Sequence, residues 1–307
     1  MSQIPTFPDF KNIELTDRPL VERLTEKFPP YSDFHFSSLY SWDIHHKMRL
    51  SLLNGNLVVL FEDYMTGKFF MTFIGSQEIM ATAHVLLEFS AEHRYESCLR
   101  LISEEMSHAL HAAGFMVEPD LDAHDYIYSI NHLALMHTWR QGRQRRQIKK
   151  FIVANPQYIT QVQAIRDINK KDYLEFFRRW ADNKKVADHT ELNEFKAFIR
   201  LLHENDGNVE MLSLYSDASR TNMVGCTSFE LVSDGYSIAH FSKADTKHHA
   251  AIYCVLIWEE AKYLQNKGAK YYNWEQDLGI TGLRSFKQSY RPEFFLKKYT
   301  VGLPTSR

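Results

Sequence analysis

The sequence predicts an α+β protein with two related domains, in which mixed sheets are flanked by helices. Both halves of the 307-residue chain interleave strand-like and helix-like segments, and each places a helix, a glycine and an aromatic-rich strand near its end, at Gly114 and Gly268. Repetition of such a mixed pattern favours two compact α+β domains over one continuous sheet. The expected bounds are 1–138 and 165–307, with a basic interdomain helix over 139–164.

The first half opens with a short helix and a β-hairpin. An amphipathic helix is predicted over 20–28, because two prolines follow it. Alternating apolar residues around Asn54-Gly55 predict a hairpin, and "KFFMTFIG" predicts a further strand. Apolar residues at helical spacing then predict one helix over 95–114, ending at the glycine.

The second half continues the same mixture. Helices are expected over 172–184 and 191–205, followed by the strands "VEMLSLYSD", "VGCTSFELV" and "YSIAHFSKA". A long helix is expected over 247–267, and a strand within "AKYYNWE" follows it. The alternation is that of a second α+β domain.

Composition and charge place the chain among ordinary globular proteins. It is 44% hydrophobic and 24% charged with a formal net charge of -2, so whole-chain charge neither favours nor excludes a nucleic-acid partner. Its three widely spaced cysteines match no zinc or redox pattern. The first residues lack a charged-then-apolar leader, and no apolar run approaches the roughly 20 residues of a membrane span. We therefore expect a cytoplasmic protein, with peripheral contact at a membrane left open.

A basic segment joins the two halves. Residues 126–166 contain no Asp or Glu, and in a helix through "TWRQGRQRRQIKKF" the cations would lie close together on the surface. Such a stripe repels itself unless an anion lies against it. Two interpretations stay open: cations that meet acids of the other domain, or a surface that binds a polyanion. The cations concerned are Arg143, Arg145, Arg146, Lys149 and Lys150.

Three segments resemble a known family: "PPYSDFHFSSLYSW", "HDYIYSINHLALMHTWRQGRQRRQIKKF" and "EQDLGITGLRSFKQSYRPEFFLKKYT". They look like a family of mostly uncharacterised bacterial proteins related to the C-terminal catalytic domain of phosphatidylglycerol lysyltransferase. Arg145 matches that family's central arginine, whereas Arg146 stands where the family usually has asparagine. The resemblance implies two tandem domains of the GNAT-like (acyl-CoA N-acyltransferase-like) fold, and acyl transfer as the activity.

The same resemblance implies a donor. The lysyltransferases and the Fem-type peptidoglycan aminoacyltransferases move an aminoacyl group from charged tRNA to a lipid or peptide acceptor, so aminoacyl-tRNA is the expected donor here. The acceptor stays open among a small molecule, a lipid headgroup and a peptide. A non-catalytic module that binds RNA or another polyanion, and an acetyl-CoA-dependent N-acetyltransferase, are the alternative functions.

The turn before the long helix makes acyl-CoA the less favoured donor. GNAT-like folds usually hold the cofactor's pyrophosphate on the backbone amides of a glycine-containing loop that enters a helix. Here the turn reads "SKADTKHHAAIY", and no glycine occurs between Gly235 and Gly268. Thr246 is expected to cap the helix, and Lys247 to meet a phosphate of the donor.

The predicted site follows the strand near residue 273. No serine elbow or Cys-His pairing is evident, so we expect direct attack by the acceptor without a covalent enzyme intermediate. One carboxylate of Glu275 or Asp277 is expected to orient the acceptor or the donor's amino group, unless both simply fix the loop by pairing with cations. A loop through Gly279 and Gly282 is expected to lead into a helix, and three cations on one face of that helix are expected to hold the donor's phosphates. These cations are Arg284, Lys287 and Arg291.

His240 is a further candidate catalytic residue, because it lies at a probable strand end and histidine titrates near neutral pH. The alternative is a histidine that serves as a structural hydrogen-bonding group. The histidine pairs at 45–46 and 248–249 match no ligand spacing, so no metal site is expected.

Overall fold

The structure, a computed structural model, describes residues 3–63, 65–135, 142–184, 189–203 and 208–303. The chain forms two compact units, and neither is one continuous stretch. The first unit is built from 1–125, 276–284 and 295–307, and the second from 126–275 and 285–294. These bounds differ from the predicted ones, because the last strand of the chain pairs with strands of the first unit.

In the described residues, a four-stranded antiparallel sheet organises the start of the first unit. Asn54 and Gly55 connect its second and third strands with φ values of 53° and 79°, so the predicted hairpin is confirmed. The order is β1-β2-β3-β4. The strands are β1 (Lys11–Asn12), β2 (Arg49–Leu53), β3 (Asn56–Glu62) and β4 (Phe69–Ile74).

The helix predicted over 95–114 is wrong in its first half. Leu99–Ser103 forms strand β5, and only Glu104–Ala112 is helical. Ser103 ends the strand and caps the helix by accepting a hydrogen bond from the amide of Met106. Pairing with a strand far along the chain therefore overrides the local helical spacing.

In the described residues, a second, three-stranded sheet completes the first unit in the order β5-β14-β6, with β6 at Met116–Pro119 and β14 at Lys298–Gly302. Buried apolar side chains, including Val58, Phe73 and Leu86, form the core of this unit. Its helices are α1 (Arg18–Thr25), α2 (Phe36–Trp42), α3 (Ile79–Glu92) and α4 (Glu104–Ala112).

The second unit is organised by a mixed sheet, seven-stranded within the residues that the structure describes, in the order β13-β7-β12-β11-β10-β9-β8. Strands β11 and β12 are parallel and pair over three residues only, Tyr236–Ile238 opposite Tyr271–Asn273, although β11 runs on to Ala244. β12 therefore ends with these pairs, whereas β11 continues beyond them. The seven strands are β7 (Asp125–Ser129), β8 (Ile159–Ala164), β9 (Val209–Tyr215), β10 (Met223–Leu231), β11 (Tyr236–Ala244), β12 (Tyr271–Asn273) and β13 (Phe294–Leu296).

Helices and the sheet of the second unit enclose an apolar core that includes Phe229, Leu256 and Tyr272. The two helices predicted over 172–184 and 191–205 are confirmed, with bounds that differ by at most three residues. None of the described helices is long and apolar enough to cross a bilayer. The helices are α5 (Ile130–Leu135), α6 (Gly142–Ala154), α7 (Lys170–Lys184), α8 (His189–Leu202) and α9 (Ile252–Asn266), and residues 285–289 of α10 (Thr281–Ser289) also belong to this unit.

Helix α9 begins later than the sequence predicts. Its N-cap is Ala251, so Thr246 does not cap it. Residues 245–251 form turns instead, and the Asp245 carboxylate accepts a hydrogen bond from the His248 amide. Short side-chain-to-backbone bonds of this kind compete with the helix and delay its start.

The predicted interdomain helix is shorter than 139–164 and belongs to the second unit. Helix α6 covers Gly142–Ala154, and β8 follows it at Ile159–Ala164. Residues 139–141 of the prediction lie outside the described part of the chain.

Candidate active site

His240 is the extra residue of a β-bulge in the second unit. Phe229 of β10 lies opposite Ala239 of β11, and the preceding residue, Ser228, lies opposite Phe241 instead of His240. A bulge bends its strand and redirects the side chain of the inserted residue, and such bulges are frequent beside active sites. The bulge lies just past the last pairs between β11 and β12. The fold therefore places His240 on β11 just beyond the end of its pairing with β12.

Two glutamates flank the His240 ring. Nε2 of His240 lies 3.5 Å from Oε1 of Glu230 on β10, and Nδ1 lies 3.9 Å from Oε1 of Glu275, two residues beyond β12. The side chains of His240 and Glu230 are nearly inaccessible, whereas that of Glu275 is 18% exposed. Of the two acids, Glu275 is therefore the one that a substrate could reach.

The charge state of His240 follows from these neighbours. Burial lowers the pKa of His240, but the carboxylates of Glu230 and Glu275 raise it by more, so that the pKa is about 9. The ring is therefore protonated at neutral pH, since an ordinary histidine pKa is near 6.5. A protonated imidazole attracts nearby carboxylates and cannot itself accept a proton. Glu275, rather than His240, is therefore the favoured proton acceptor at this site.

The backbone of Glu275 is fixed in an uncommon conformation. Its φ is 55°, in the left-handed region, which costs a non-glycine residue about 1–2 kcal/mol. Three contacts hold it there: its amide donates to Asn273 Oδ1 at 2.7 Å, and its carbonyl accepts from the Tyr126 amide and from Lys287 Nζ, each at 3.2 Å. Strained residues held in this way are frequent at functional sites.

Asp277, the other predicted carboxylate, has different surroundings in the first unit. Its side chain is fully buried, and the Arg284 guanidinium binds both carboxylate oxygens at 2.8 Å. The Gly279 amide donates to Oδ1 at 2.9 Å. This geometry favours the interpretation in which Asp277 fixes the loop, while its catalytic role stays a prediction.

The three cations predicted to hold donor phosphates do not form one exposed face. Arg284 binds Asp277 and Asp122. Lys287 is buried, and its Nζ donates to the carbonyl oxygens of Trp274 and Glu275. Arg291 is exposed but lies beyond the end of α10. A role in phosphate binding stays a prediction for these residues, and Arg291 is the one whose side chain is exposed.

Helix α6 packs against the start of α9 and the end of α10. Cys254 Sγ donates to Gln147 Oε1 at 2.9 Å, the rings of Phe151 and His249 meet edge to face at 5.7 Å, and Gln144 Nε2 donates to the Ser289 carbonyl at 3.4 Å. The opposite side of the helix is cationic. Its exposed side chains include Arg143, Arg145, Arg146, Lys149 and Lys150, and Lys247 is exposed in the turn before α9.

A buried polar cluster that the sequence reasoning missed lies in the first unit. Lys298 is fully buried, and its Nζ binds the carboxylates of Asp33 and Asp125 and the hydroxyl of Ser32. Gln276 donates to Asp33. Burial lowers the Lys298 pKa, but Asp125 and Asp33 raise it above its ordinary value, so the side chain stays charged. No sequence pattern marks Lys298 as buried, because its neighbours, Lys297 and Tyr299, fit an exposed strand equally well.

This cluster joins the three segments that carry the family resemblance. Ser32 and Asp33 come from the first segment, Asp125 from the second, and Gln276 and Lys298 from the third. Part of that sequence pattern is therefore explained by a buried ionic network that holds distant segments together.

Comparisons with known proteins identify the family and the fold. The family model "Phosphatidylglycerol lysyltransferase, C-terminal" matches residues 25–302. A conserved protein of unknown function from Bacteroides thetaiotaomicron is 26% identical, with a TM-score of 0.83 over 98% of this chain and 100% of its own. No functionally curated protein matches the sequence.

Two further solved structures share the fold at lower identity. L-PGS from Bacillus licheniformis is 13% identical, with a TM-score of 0.63 over 100% of this chain and 95% of its own. FemX is 10% identical, with a TM-score of 0.56 over 95% of this chain and 96% of its own. The predicted α+β class with GNAT-like units is confirmed. The chain therefore belongs to the phosphatidylglycerol lysyltransferase C-terminal family and is an acyltransferase of the GNAT-like fold.

Proposed function

We propose that this protein transfers an aminoacyl group from aminoacyl-tRNA to an amine or hydroxyl acceptor. The observation that carries the donor assignment is the exposed cationic side of α6, whose other side packs on α9 and α10. Five cations on one short helix gain most from a ligand that carries many phosphates. Acyl-CoA carries few phosphates and would need fewer than five cations to bind it.

The proposed chemistry is direct attack on the donor's ester. The acceptor's nitrogen or oxygen bonds to the carbonyl carbon, the ester bond to the ribose oxygen breaks, and the proton lost by the acceptor goes to the departing hydroxyl. Glu275 orients the acceptor or the donor's amino group and can relay that proton. Protonated His240, held by Glu230, keeps the Glu275 carboxylate in place.

Binding to aminoacyl-tRNA, deacylated tRNA and acetyl-CoA, measured in parallel by calorimetry, tests the donor. We expect binding to tRNA that weakens steeply with salt and falls at least tenfold when Arg143, Arg145 and Arg146 are changed to Gln. Saturable binding of acetyl-CoA alone would instead identify an N-acetyltransferase. Tight RNA binding without transfer to any amine, lipid-headgroup or peptide acceptor would identify a non-catalytic binding module.

Glu275→Gln and Asp277→Asn separate the two carboxylates. We expect Glu275→Gln to lower the transfer rate by a factor of about a hundred or more, with the free energy of unfolding lowered by no more than about 2 kcal/mol because Glu230 still pairs with His240. Asp277→Asn is expected to lower thermal stability, because it removes the buried partner of Arg284. A stable, inactive Asp277→Asn protein would return the catalytic role to Asp277.

A further inference from the structure

An exposed aromatic ring lies beside the cationic helix. Phe286, on α10, is 37% exposed although it belongs to a cluster of large rings. Its ring is nearly parallel to that of Trp274, at 19° and 6.3 Å between centroids, and meets Tyr290 at 5.3 Å and half-buried Tyr253 at 5.9 Å. Trp274 and Tyr290 are buried. Phe286 is thus supported from the protein side and presents the rest of its surface to solvent.

Hydrogen bonds connect this ring cluster to α6. Tyr290 donates its hydroxyl to Cys254 Sγ at 3.3 Å, and Cys254 donates to Gln147 of α6. Gln144, one turn earlier on α6, donates to the carbonyl of Ser289, three residues after Phe286. Burial raises the pKa of the Cys254 thiol, and Arg143, on the neighbouring turn of α6, is close enough to oppose this rise, so this cation of α6 lies near the ring cluster.

We propose that Phe286, with Tyr253, stacks unpaired bases at the 3′ end of a polynucleotide donor while α6 holds the neighbouring phosphates. This proposal rests on the proposed function and adds how the single-stranded end is held. An aromatic face beside a cationic groove is the arrangement that binds single-stranded nucleic acid without base-specific contacts. Because the ring is already fixed by its neighbours, stacking costs little conformational freedom.

We call Phe286 and Tyr253 the stacking platform. Fluorescence anisotropy with two RNA hairpins, one with a four-nucleotide 3′ extension and one blunt-ended, tests whether this platform binds unpaired bases. We expect the wild-type protein to prefer the extended hairpin by about tenfold, and Phe286→Ala to lose that preference while its affinity for the blunt hairpin and its salt dependence stay unchanged. Phe286→Trp should keep the preference and Phe286→Leu should lose it, since leucine is apolar but has no aromatic face.

Phe295→Ala is the matched control, because Phe295 is also 37% exposed and lies in the first unit. This variant should keep the preference. Equal binding of both hairpins by the wild-type protein, or an equal loss for both in Phe286→Ala, would overturn the platform. Transfer activity without any preference for the extension would refute the platform alone, whereas a preference without transfer would refute the proposed enzymatic function alone.

Discussion

Glu275 and Asp277 illustrate what the sequence leaves open at the scale of single residues. Both were candidates because they follow a strand and precede a glycine. In the structure, one is strained, partly accessible and close to His240, whereas the other is enclosed by an arginine. Sequence spacing places both carboxylates near the site, but burial and partners depend on the fold, so their roles could not be separated in advance.

The His240 pKa gives a testable pH dependence. Its folded-state value of about 9 lies above the ordinary value near 6.5, so its contribution to stability is fully present below about pH 6.5 and is lost as the pH rises through about 9. The loss is expected to be at most about 3 kcal/mol. Urea unfolding of the wild-type protein and of His240→Gln between pH 6 and 10 measures it. Parallel pH profiles for the two proteins would contradict this assignment.

Glu230 was missed for a physical reason. In the sequence, the single acid within "VGCTSFELV" fits a solvent-exposed strand position as well as a buried one. The bulge in β11 is what brings His240 close to it. The buried histidine itself was identified as a candidate, but its charge state requires the positions of both glutamates.

At the scale of secondary-structure elements, α10 stabilises the backbone of the site through a buried side chain. Lys287 on this helix was expected to face a phosphate, yet its ammonium group binds the carbonyl oxygens of Trp274 and Glu275. The spacing of cations along a helix predicts which side chains share a face, but not whether that face is buried. The sequence therefore predicts the helix correctly, but not that Lys287 on it is buried.

Lys287→Met tests this supporting role. Removing the ammonium group should let the backbone of Glu275 leave its left-handed conformation. We expect the transfer kcat to fall by about tenfold or more while the KM for the donor stays within about twofold. Lys270→Met, at an exposed position with no predicted role in the site, is the control. A large increase in donor KM with an unchanged kcat would indicate that Lys287 contacts the donor after all.

At the scale of the whole molecule, the sequence predicted the fold class and two units but not which segments each contains. Local patterns located the hairpin and most of the helices. They could not show that β14 pairs between β5 and β6, nearly 200 residues earlier in the chain, because strand pairing leaves no local periodicity that names the partner. The cluster around Lys298 could not be predicted for the same reason, because its residues are far apart in the chain.

Lys298→Met tests how strongly that cluster holds the first unit together. Loss of the ammonium group leaves Asp33 and Asp125 buried without their shared cation, so we expect the free energy of unfolding to fall by about 3–5 kcal/mol. Urea denaturation measures this change. The adjacent Lys297→Met is the control, because Lys297 is exposed. Equal stability of the two variants would mean that the buried network contributes little.

The placement of β14 has a consequence for synthesis on the ribosome. β5 and β6 are translated long before the strand that lies between them. At roughly 5–20 residues per second, the intervening chain takes on the order of ten seconds or more to appear. During that interval the edges that β14 will cover lack their partner strand, so the nascent chain must delay closure of this sheet until β14 has been translated.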